Sequence, residues 1–328
     1  MPRKIEVSHK TIVFTALFAI LLWFVYFVRD IVMQIAVSLL IAAVLNPIVT
    51  QLSKIRIPRA VSILVIYIIL LVIFGGAVAL IITPLVNETT SFVNSMPEYL
   101  GKINLPFFAS KELVGQITSQ AGNLSTNLLK FVFSVFSNVL TILAIFIFSF
   151  YFLLSREKLD DFLSNLFGEE KAKRYSQVVD EWESRLGGWA RGQLVLMIII
   201  GVATYLGLTL LGLPFALPLA LLAGILEIVP TLGPIVASIP AIVVGFGISP
   251  IVGVGVAALS FFLNQFENYV LVPKIMEKSV GLNPIITIIA IIVGFRVAGV
   301  AGAILAVPAV ITFQVFALEA NKPGSVSR

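Results

Sequence analysis

The chain contains an apolar stretch, residues 212–247, that is interrupted near its middle by prolines and a glycine. The limb before the interruption, residues 215–226, has 12 residues, whereas a helix needs roughly 20 residues to cross a bilayer. Irregular backbone at membrane depth persists only where protein or a water-filled cavity satisfies its polar groups. The sequence therefore predicts a re-entrant hairpin whose broken tip lines a cavity. The tip carries the candidate binding residues Glu227, Pro230, Thr231, Gly233 and Pro234.

A second apolar stretch, residues 281–318, repeats this pattern 69 residues further along the chain. Its opening glycine, Gly281, corresponds to Gly212, and its charged residue, Arg296, corresponds to Glu227. An isolated charge in a membrane usually needs a partner, so we expect Glu227 and Arg296 to face each other. Interrupted hydrophobic segments at corresponding positions are typical of transporter sites. Chance similarity between two glycine-rich apolar stretches is the alternative.

The composition is that of an integral membrane protein, since 59% of the 328 residues are hydrophobic and 12% are charged, against about 25% charged in soluble domains. Cysteine is absent and His9 is the single histidine, which excludes thiolate metal sites and histidine zinc motifs. No phosphate-binding loop of the G-x-x-x-x-G-K-[ST] type is present, so ATP-driven pumping is not indicated. We expect no enzyme activity, no metal centre, no cofactor and no nucleic-acid partner. The candidate coupling ions are H⁺ and Na⁺.

Hydropathy divides the chain into membrane and polar segments. Residues 1–83 contain three predicted transmembrane helices, the first at 11–28, and residues 131–154 form a fourth. The remaining segments are an extracytoplasmic helical segment at 84–130, an amphipathic cytosolic helical segment at 155–191, a transport core with both hairpins at 192–318, and a cytosolic tail at 319–328. We therefore predict an all-α polytopic membrane protein. Six, eight or ten passes are compatible with this pattern, and about eight transmembrane helices is the favoured count.

The distribution of basic residues predicts the orientation. A cytosolic N-terminus places 17 of the 22 Lys and Arg residues on the cytosolic side, as the positive-inside rule requires. Each hairpin adds either no pass or two passes, so the C-terminus is predicted to be cytosolic as well. The two hairpins are then entered from opposite sides of the membrane, which makes them an inverted repeat.

Further polar residues near the hairpins are candidates for binding and for hinges. The run Asn264-Gln265-x-Glu267-Asn268 ends a predicted span, and helical spacing places its first, fourth and fifth residues on one face. We take Asn264, Gln265, Glu267 and Asn268 as candidate binding residues, although long polar side chains near a helix end also reach toward the membrane interface. Hinge or packing roles are predicted for Arg191, Gly192, Gln193, Gly281 and Pro284.

Four motifs follow one another along the chain: Arg191-Gly-Gln193, Glu227-x-Val-Pro-Thr-Leu-Gly-Pro234, Asn264-Gln-x-Glu-Asn268 and Gly281-Leu-Asn-Pro284. Together they resemble the autoinducer-2 exporter family, also called PerM-type permeases, and the resemblance covers essentially the whole chain. It implies a protein of the prokaryotic cytoplasmic membrane with about eight spans, re-entrant hairpins and a homo-oligomeric assembly. It also implies export of autoinducer-2, a small polar quorum-sensing signal, in some members and exchange of sodium or lithium for protons in others.

These observations predict a secondary transporter that exports a small polar molecule, similar to autoinducer-2, by alternating access. The substrate would bind near the bilayer midplane, between the tips of the two hairpins. A sodium(lithium)/proton antiporter is the alternative within the same resemblance. A passive channel and a non-transporting membrane scaffold are alternatives from other classes, and saturable, ion-dependent flux would separate a transporter from both.

Overall fold

The computed structural model describes residues 14–15, 17–18, 20, 23–24, 27–102, 139–276 and 283–320. These residues form helices and short connections, and no strand occurs among them. The predicted all-α architecture is therefore confirmed for this part of the chain. Parts of the first predicted span lie outside the described residues. Residues 103–138, which include the rest of the predicted segment 84–130 and the start of the fourth predicted span, also lie outside them.

From Arg29 onward, ten α-helices follow one another in the described part of the chain. They are α1 (Arg29–Ser53), α2 (Arg59–Lys102), α3 (Val139–Ser155), α4 (Leu159–Phe167), α5 (Glu169–Leu210), α6 (Ala216–Leu226), α7 (Leu232–Ile248), α8 (Pro250–Phe266), α9 (Val272–Met276) and α10 (Pro284–Ala320). A 3₁₀ turn, Arg156–Lys158, precedes α4. A π-helical turn, Glu267–Leu271, joins α8 to α9.

Six helical segments among the described residues are long and apolar enough to cross a membrane. They are Arg29–Ser53, Arg59–Phe92, Val139–Phe167, Glu169–Leu210, Pro250–Met276 and Ile285–Glu319. Helices α6 and α7 are apolar but shorter; the 11 residues of α6 span about 16 Å. The chain is thus a multi-pass membrane protein, while the count of eight passes and the re-entrant character of the hairpins remain predictions.

Helix α2 continues past residue 83, where the sequence predicted the end of the third span, and ends at Lys102. Its last part packs against the first hairpin, since Phe92 belongs to a core cluster with Leu208 and Val244. Gly247 of α7 allows a close approach there, because a Cβ at this position would lie 2.6 Å from the Cβ of Tyr99. The helical residues 84–102 are therefore attached to the transport core.

Helix α5 is continuous from Glu169 to Leu210, whereas the sequence analysis divided this region into a cytosolic segment ending at residue 191 and a separate span. The glycines of this region serve packing. A Cβ on Gly187 would overlap the carbonyl oxygen of Ala43 in α1, so glycine here lets the two helices touch. Arg191 reinforces the contact by donating to the carbonyl oxygens of Ala43 and Val44, at 3.2 Å each.

The predicted cytosolic segment is helical apart from Gly168. It consists of the 3₁₀ turn, α4 and the first half of α5. Arg156 in the turn forms ion pairs with Asp180 and, at 2.8 Å, with Glu183 of α5. These pairs hold the end of α3 against α5, so the segment is anchored to the helix that continues into the transport core.

Both apolar stretches fold as two helical limbs joined at a break, and the breaks lie at equivalent positions of the repeat. In the first stretch, α6 ends at Leu226 and α7 begins at Leu232. In the second, the backbone is non-helical at Ala298 and Gly299 within α10. Subtracting the repeat length of 69 residues from 298 and 299 gives 229 and 230, which fall inside the first break.

Glycines let the two limbs of each stretch approach closely. A Cβ on Gly233 would overlap the carbonyl oxygen of Leu226, and a Cβ on Gly302 would overlap the carbonyl oxygen of Gly294. Gly233 and Gly302 are also 69 residues apart. Equivalent breaks with equivalent glycines favour a structural repeat over chance similarity.

Candidate functional site

The break after α6 follows from its local sequence. Pro230 has no backbone N–H with which to continue the helix. Thr231 has a φ of 69°, a left-handed conformation that β-branched residues rarely adopt. Glu227 still donates its backbone N–H to the carbonyl oxygen of Ala223, at 3.1 Å. Glu227 therefore lies at the C-terminal end of α6, where the helix dipole is negative.

The side chain of Glu227 is fully buried, with 0% relative exposure. Neither of its carboxylate oxygens has a well-formed hydrogen bond among the described residues, although the side chains of Gln193 and Glu267 lie near them. Its backbone carbonyl oxygen, in contrast, accepts a hydrogen bond from Nε2 of Gln193, a residue of α5 that is itself buried. Helix α5 thus holds the backbone of the break in place while the carboxyl group remains available for an ion.

Glu267 brings a second carboxyl group next to that of Glu227. It is 3% exposed, and its Oε2 atom also has no donor within the described structure. No Lys or Arg side chain of the described residues forms an ion pair with either carboxyl group. Two ionised carboxylates lying next to each other would repel. The pair is therefore suited to share a proton or to bind a cation.

Glu267 is the first residue of the π-helical turn. Such turns change the direction in which side chains leave a helix and are frequent at functional sites. Asn264, Glu267 and Asn268 were predicted to share one face, but here Glu267 is buried, Asn264 is half-buried and Asn268 is exposed; Gln265 is half-buried. Asn268 donates its side-chain amide to the carbonyl oxygen of Asn264, at 2.8 Å. The predicted cluster therefore contributes Glu267 and Asn264 to the site interior but not Asn268.

Arg296 does not face Glu227. Its side chain is exposed on α10, whereas Glu227 is fully buried, and Glu267 is the charged group beside Glu227. The prediction that the two equivalent residues form a pair is wrong for this structure. The repeat relates backbone positions within the two hairpins, but the neighbour of Glu227 comes from the end of α8, which lies between the two copies.

A small cavity of about 40 Å³ lies beside Glu267, between α5, α6, α7 and α8. Pro234, at the start of α7, borders it, and apolar residues such as Leu208 and Leu263 form much of its wall. Five of its lining side chains carry oxygen atoms: Thr204, Ser238, Ser260, Asn264 and Glu267. We call it the oxygen-lined cavity. The sequence analysis missed its three hydroxyl residues, because single hydroxyls on apolar helices often bond only to their own backbone.

A second cavity, of about 780 Å³, lies at the other break, between α1, α3 and α10. Ala298 and Gly299 border it, and its polar lining residues are Arg29, Asp30, Gln34 and Thr141. We call it the large cavity. The first break also touches the second hairpin, since Val229 packs against the cluster formed by Ile291 and Ala303 of α10.

The predicted hinge residues have packing contacts in the described part of the chain. Gly192 lies against α9, where an added Cβ would be 3.2 Å from Sδ of Met276. Pro284 begins α10, and Asn283 caps that helix by accepting from the backbone N–H of Ile285 at 2.9 Å. Gly281 lies outside the described residues. Gln193 has a role beyond the predicted hinge or packing role. Its buried side-chain amide donates to the backbone carbonyl oxygen of Glu227 and so supports the candidate site.

Comparison with known proteins matches nearly the whole chain to one protein family. The family model described as "AI-2E family transporter" matches residues 12–322. Two similar proteins of Bacillus subtilis (strain 168) carry the names "Putative transport protein YueF" and "Putative transport protein YrrI"; each is 26% identical, over 90% and 89% of this chain and 86% and 87% of their own lengths, respectively. A protein of Halobacillus andaensis named "Sodium-lithium/proton antiporter" is 25% identical over 88% of this chain and 90% of its own length.

Proposed function

Because this chain belongs to the AI-2E family of transporters, we propose that it is a secondary transporter in which the Glu227–Glu267 pair binds the coupling ion. One observation carries the proposal: two buried carboxyl groups lie next to each other with no cationic side chain paired to them among the described residues. Ionisable residues inside a membrane protein are costly and mark ion pathways or proton relays.

Exchange of a monovalent cation for protons is the form of transport that this site supports best. A carboxyl pair that releases a proton gains one negative charge, and a bound cation compensates that charge in an interior that cannot solvate it. A cycle that alternates between the two occupants therefore never exposes an uncompensated charge to the apolar interior. The relative named as a sodium-lithium/proton antiporter aligns over most of the chain, which supports this assignment.

Export of a small polar molecule is the second candidate, and the large cavity favours it. A volume of about 780 Å³ falls within the range of roughly 300–1,000 Å³ that is usual for small-molecule sites. Its polar lining and the interrupted backbone at Ala298 and Gly299 could bind a hydroxylated solute such as an autoinducer-2-like signal. Under this alternative, the carboxyl pair supplies the coupling and the large cavity holds the solute.

We further propose that the two broken helices enter the membrane from opposite sides as re-entrant hairpins in a homo-oligomeric protein of the cytoplasmic membrane, with both termini in the cytosol. Alternating access would then move the hairpin-bearing core, together with the end of α2 that packs on it, against α1, α3 and the rest of α2. A passive channel needs no buried carboxyl pair, and a scaffold needs no cavity at either break. These features make transport the better interpretation.

Reconstituted liposomes with an imposed pH gradient test the proposal. We expect external NaCl or LiCl to dissipate the gradient, as read by an entrapped pH dye, whereas choline chloride should not. Autoinducer-2 is the parallel substrate for the second candidate. Glu227→Gln should abolish the coupled signal, and Glu170→Gln, the same change at an exposed cytosolic carboxylate, should preserve it. Dissipation by the Glu227→Gln protein at the wild-type rate would remove the carboxyl pair from the mechanism.

A further inference from the structure

We infer that the oxygen-lined cavity is a binding site for a small, dehydrated monovalent cation, coordinated by Thr204, Ser238, Ser260, Asn264 and Glu267. The inference deepens the proposed function, since it rests on ion coupling at the neighbouring carboxyl pair and states where the cation lies. It is carried by the geometry of the cavity and by the chemistry of its lining atoms.

The five oxygen-bearing residues come from three helical segments that line a single space. Ser260, Asn264 and Glu267 stand four and three residues apart on α8 and at its end, a spacing that places them along one side of a helix. Thr204 of α5 and Ser238 of α7 contribute from the other walls. Hydroxyl, amide and carboxylate oxygens are hard ligands, which suit hard cations better than soft metals.

The size of the cavity favours an ion that has lost much of its water. About 40 Å³ exceeds the roughly 10–15 Å³ needed for one water molecule but leaves no room for a full hydration shell. The surrounding residues, such as Leu208, Leu259 and Leu263, are apolar and do not replace water ligands. The cavity is partly open, so a cation can enter with some of its water and binds tightly where the five side chains replace the rest, an exchange that favours small ions.

The available charge favours a monovalent ion. Oε2 of Glu267 is buried and has no donor among the described residues, so it offers a negative charge at the cavity wall. The C-terminal end of α6 adds the negative end of a helix dipole near Glu227. Calcium sites, in contrast, draw on six to eight oxygen ligands, commonly with several carboxylates, which this cavity does not offer.

The existing hydrogen bonds leave lone pairs for an ion. Ser238 donates its hydroxyl hydrogen to the carbonyl oxygen of Ile235, at 2.8 Å, so the lone pairs of its oxygen remain for coordination. The side-chain oxygen of Asn264 accepts from the amide of Asn268 at 3.2 Å, which fixes the orientation of the Asn264 amide and identifies its oxygen as the acceptor. Both oxygen atoms thus keep lone pairs that a cation in the cavity can use.

Binding to the purified full-length protein tests the inference with a matched pair of substitutions. Thr204→Val removes one lining oxygen at nearly constant volume. Thr209→Val makes the same change one turn further along α5, at an exposed threonine that does not line the cavity. Isothermal titration calorimetry with LiCl, NaCl, KCl and choline chloride gives the affinities, and the Tm in the same salts gives a second readout.

We expect LiCl and NaCl to bind and to raise Tm, and KCl and choline chloride to do neither. Thr204→Val and Ser260→Ala should each weaken cation binding by about tenfold or more, as losses of supporting ligands in ion sites do, while Thr209→Val should match the wild type. Wild-type affinity in both cavity variants, or equal binding of K⁺, would overturn the inference.

Sodium-dependent dissipation of a pH gradient without any loss of binding in these variants would leave the proposed function intact and place the ion elsewhere. Cation binding weakened by Thr204→Val, in a protein that dissipates no gradient, would instead sustain the inference and refute the transport proposal.

Discussion

Nε2 of Gln193 donates to the backbone carbonyl oxygen of Glu227, across 34 residues of sequence. This bond ties the middle of the continuous helix α5 to the break that follows α6. A carbonyl oxygen at such a break has lost its intrahelical partner, and leaving it unpaired in an apolar interior is costly. The bond therefore fixes the backbone that carries the buried carboxyl group, and it makes α5 the support on which the candidate site rests.

Replacing Gln193 with leucine should destabilise the protein by about 1–3 kcal/mol, the cost of leaving a buried polar group unpaired. The carboxyl pair should also lose its fixed position, so that coupled flux decreases together with Tm. Gln177→Leu makes the same change at an exposed position of α5 and should alter neither quantity. Thermal unfolding in detergent and liposome flux provide the two measurements. A Gln193→Leu protein with wild-type Tm would show that the bond does not support the break.

The close approach at Gly233 gives a second prediction. A Cβ there would overlap the backbone carbonyl oxygen of Leu226, and backbone atoms of a tight break cannot move aside as a flexible side chain can. Gly233→Ala should therefore lower the stability by roughly 1–3 kcal/mol, the usual range for overpacking. Gly302→Ala should have a similar effect, because it occupies the equivalent position in the second stretch.

Gly76→Ala is the matched control, since nothing lies within 4 Å of a Cβ at that position of α2. Alanine is the better helix former by up to about 1 kcal/mol, so this variant should be as stable as the wild type or more stable. The Tm values of the three alanine variants test whether both breaks are tightly packed. If Gly233→Ala were as stable as Gly76→Ala, the tight packing of the first break would be refuted.

The buried guanidinium of Arg59 links three helices and gives a third prediction. Its Nε donates to the carbonyl oxygen of Leu153 at 2.7 Å, and its Nη2 and Nη1 donate to Asn46 and Glu157, at 2.5 and 3.3 Å. Arg59→Met leaves these acceptors without their donor. Because Glu157 is largely exposed, the main cost is that of the buried carbonyl and amide oxygens left unpaired, about 1–3 kcal/mol. Lys54→Met, at an exposed site of the same loop, should be near neutral. Comparable Tm values for the two variants would contradict this role of Arg59.

The breaks could be predicted from sequence because their causes are local. Pro230, Gly233 and Pro234 forbid a continuous helix wherever the chain places them, and the 69-residue spacing carried the same expectation to the region of Ala298 and Gly299. The all-helical membrane architecture followed from hydropathy in the same way. In each case, the residues that cause the feature lie next to one another in the sequence.

The partner of Glu227 could not be predicted in this way. Glu267 lies 40 residues further along the chain, and the π-helical turn that accompanies its burial is not encoded by any local pattern that the sequence analysis used. The continuity of α5 through Gly187 was missed for a related reason. The glycines before residue 193 are compatible with a close helix approach or with a hinge, and the structure has the close approach: Gly187 meets the backbone of Ala43, a contact that depends on tertiary packing.

Membrane topology is the fourth prediction, and it tests the positive-inside argument directly. The native chain has no cysteine, so single cysteines report without background. Ser164→Cys, in α4, should react with a membrane-impermeant thiol reagent only from the cytosolic side, and Ser119→Cys only from the opposite side. The reagent is applied to right-side-out and inverted membrane vesicles. Labelling of both positions from the same side would contradict the predicted orientation of the segments before and after the fourth span.

The separation of Glu227 from Arg296 gives the last prediction. Residues that share no contact usually have additive mutational effects, within about 0.3–0.5 kcal/mol, whereas partners in an ion pair show a clear coupling energy. Glu227 is buried beside Glu267, and Arg296 is exposed on α10. The effects of Glu227→Gln and Arg296→Gln on the free energy of unfolding should therefore add, and the double variant should not recover coupled flux.

The pair Glu227→Gln and Glu267→Gln serves as the comparison, because these two residues are neighbours whereas Glu227 and Arg296 are not. Removing either carboxyl group relieves the repulsion within the pair, so the second substitution should stabilise the protein less than the first, and the two effects should not add. Unfolding free energies of the single and double variants measure both couplings under the same conditions. Recovery of transport in the Glu227→Gln/Arg296→Gln protein would show that these two residues meet during the transport cycle. Additivity for Glu227 with Arg296, together with coupling for Glu227 with Glu267, would establish Glu267 rather than Arg296 as the residue that interacts with Glu227.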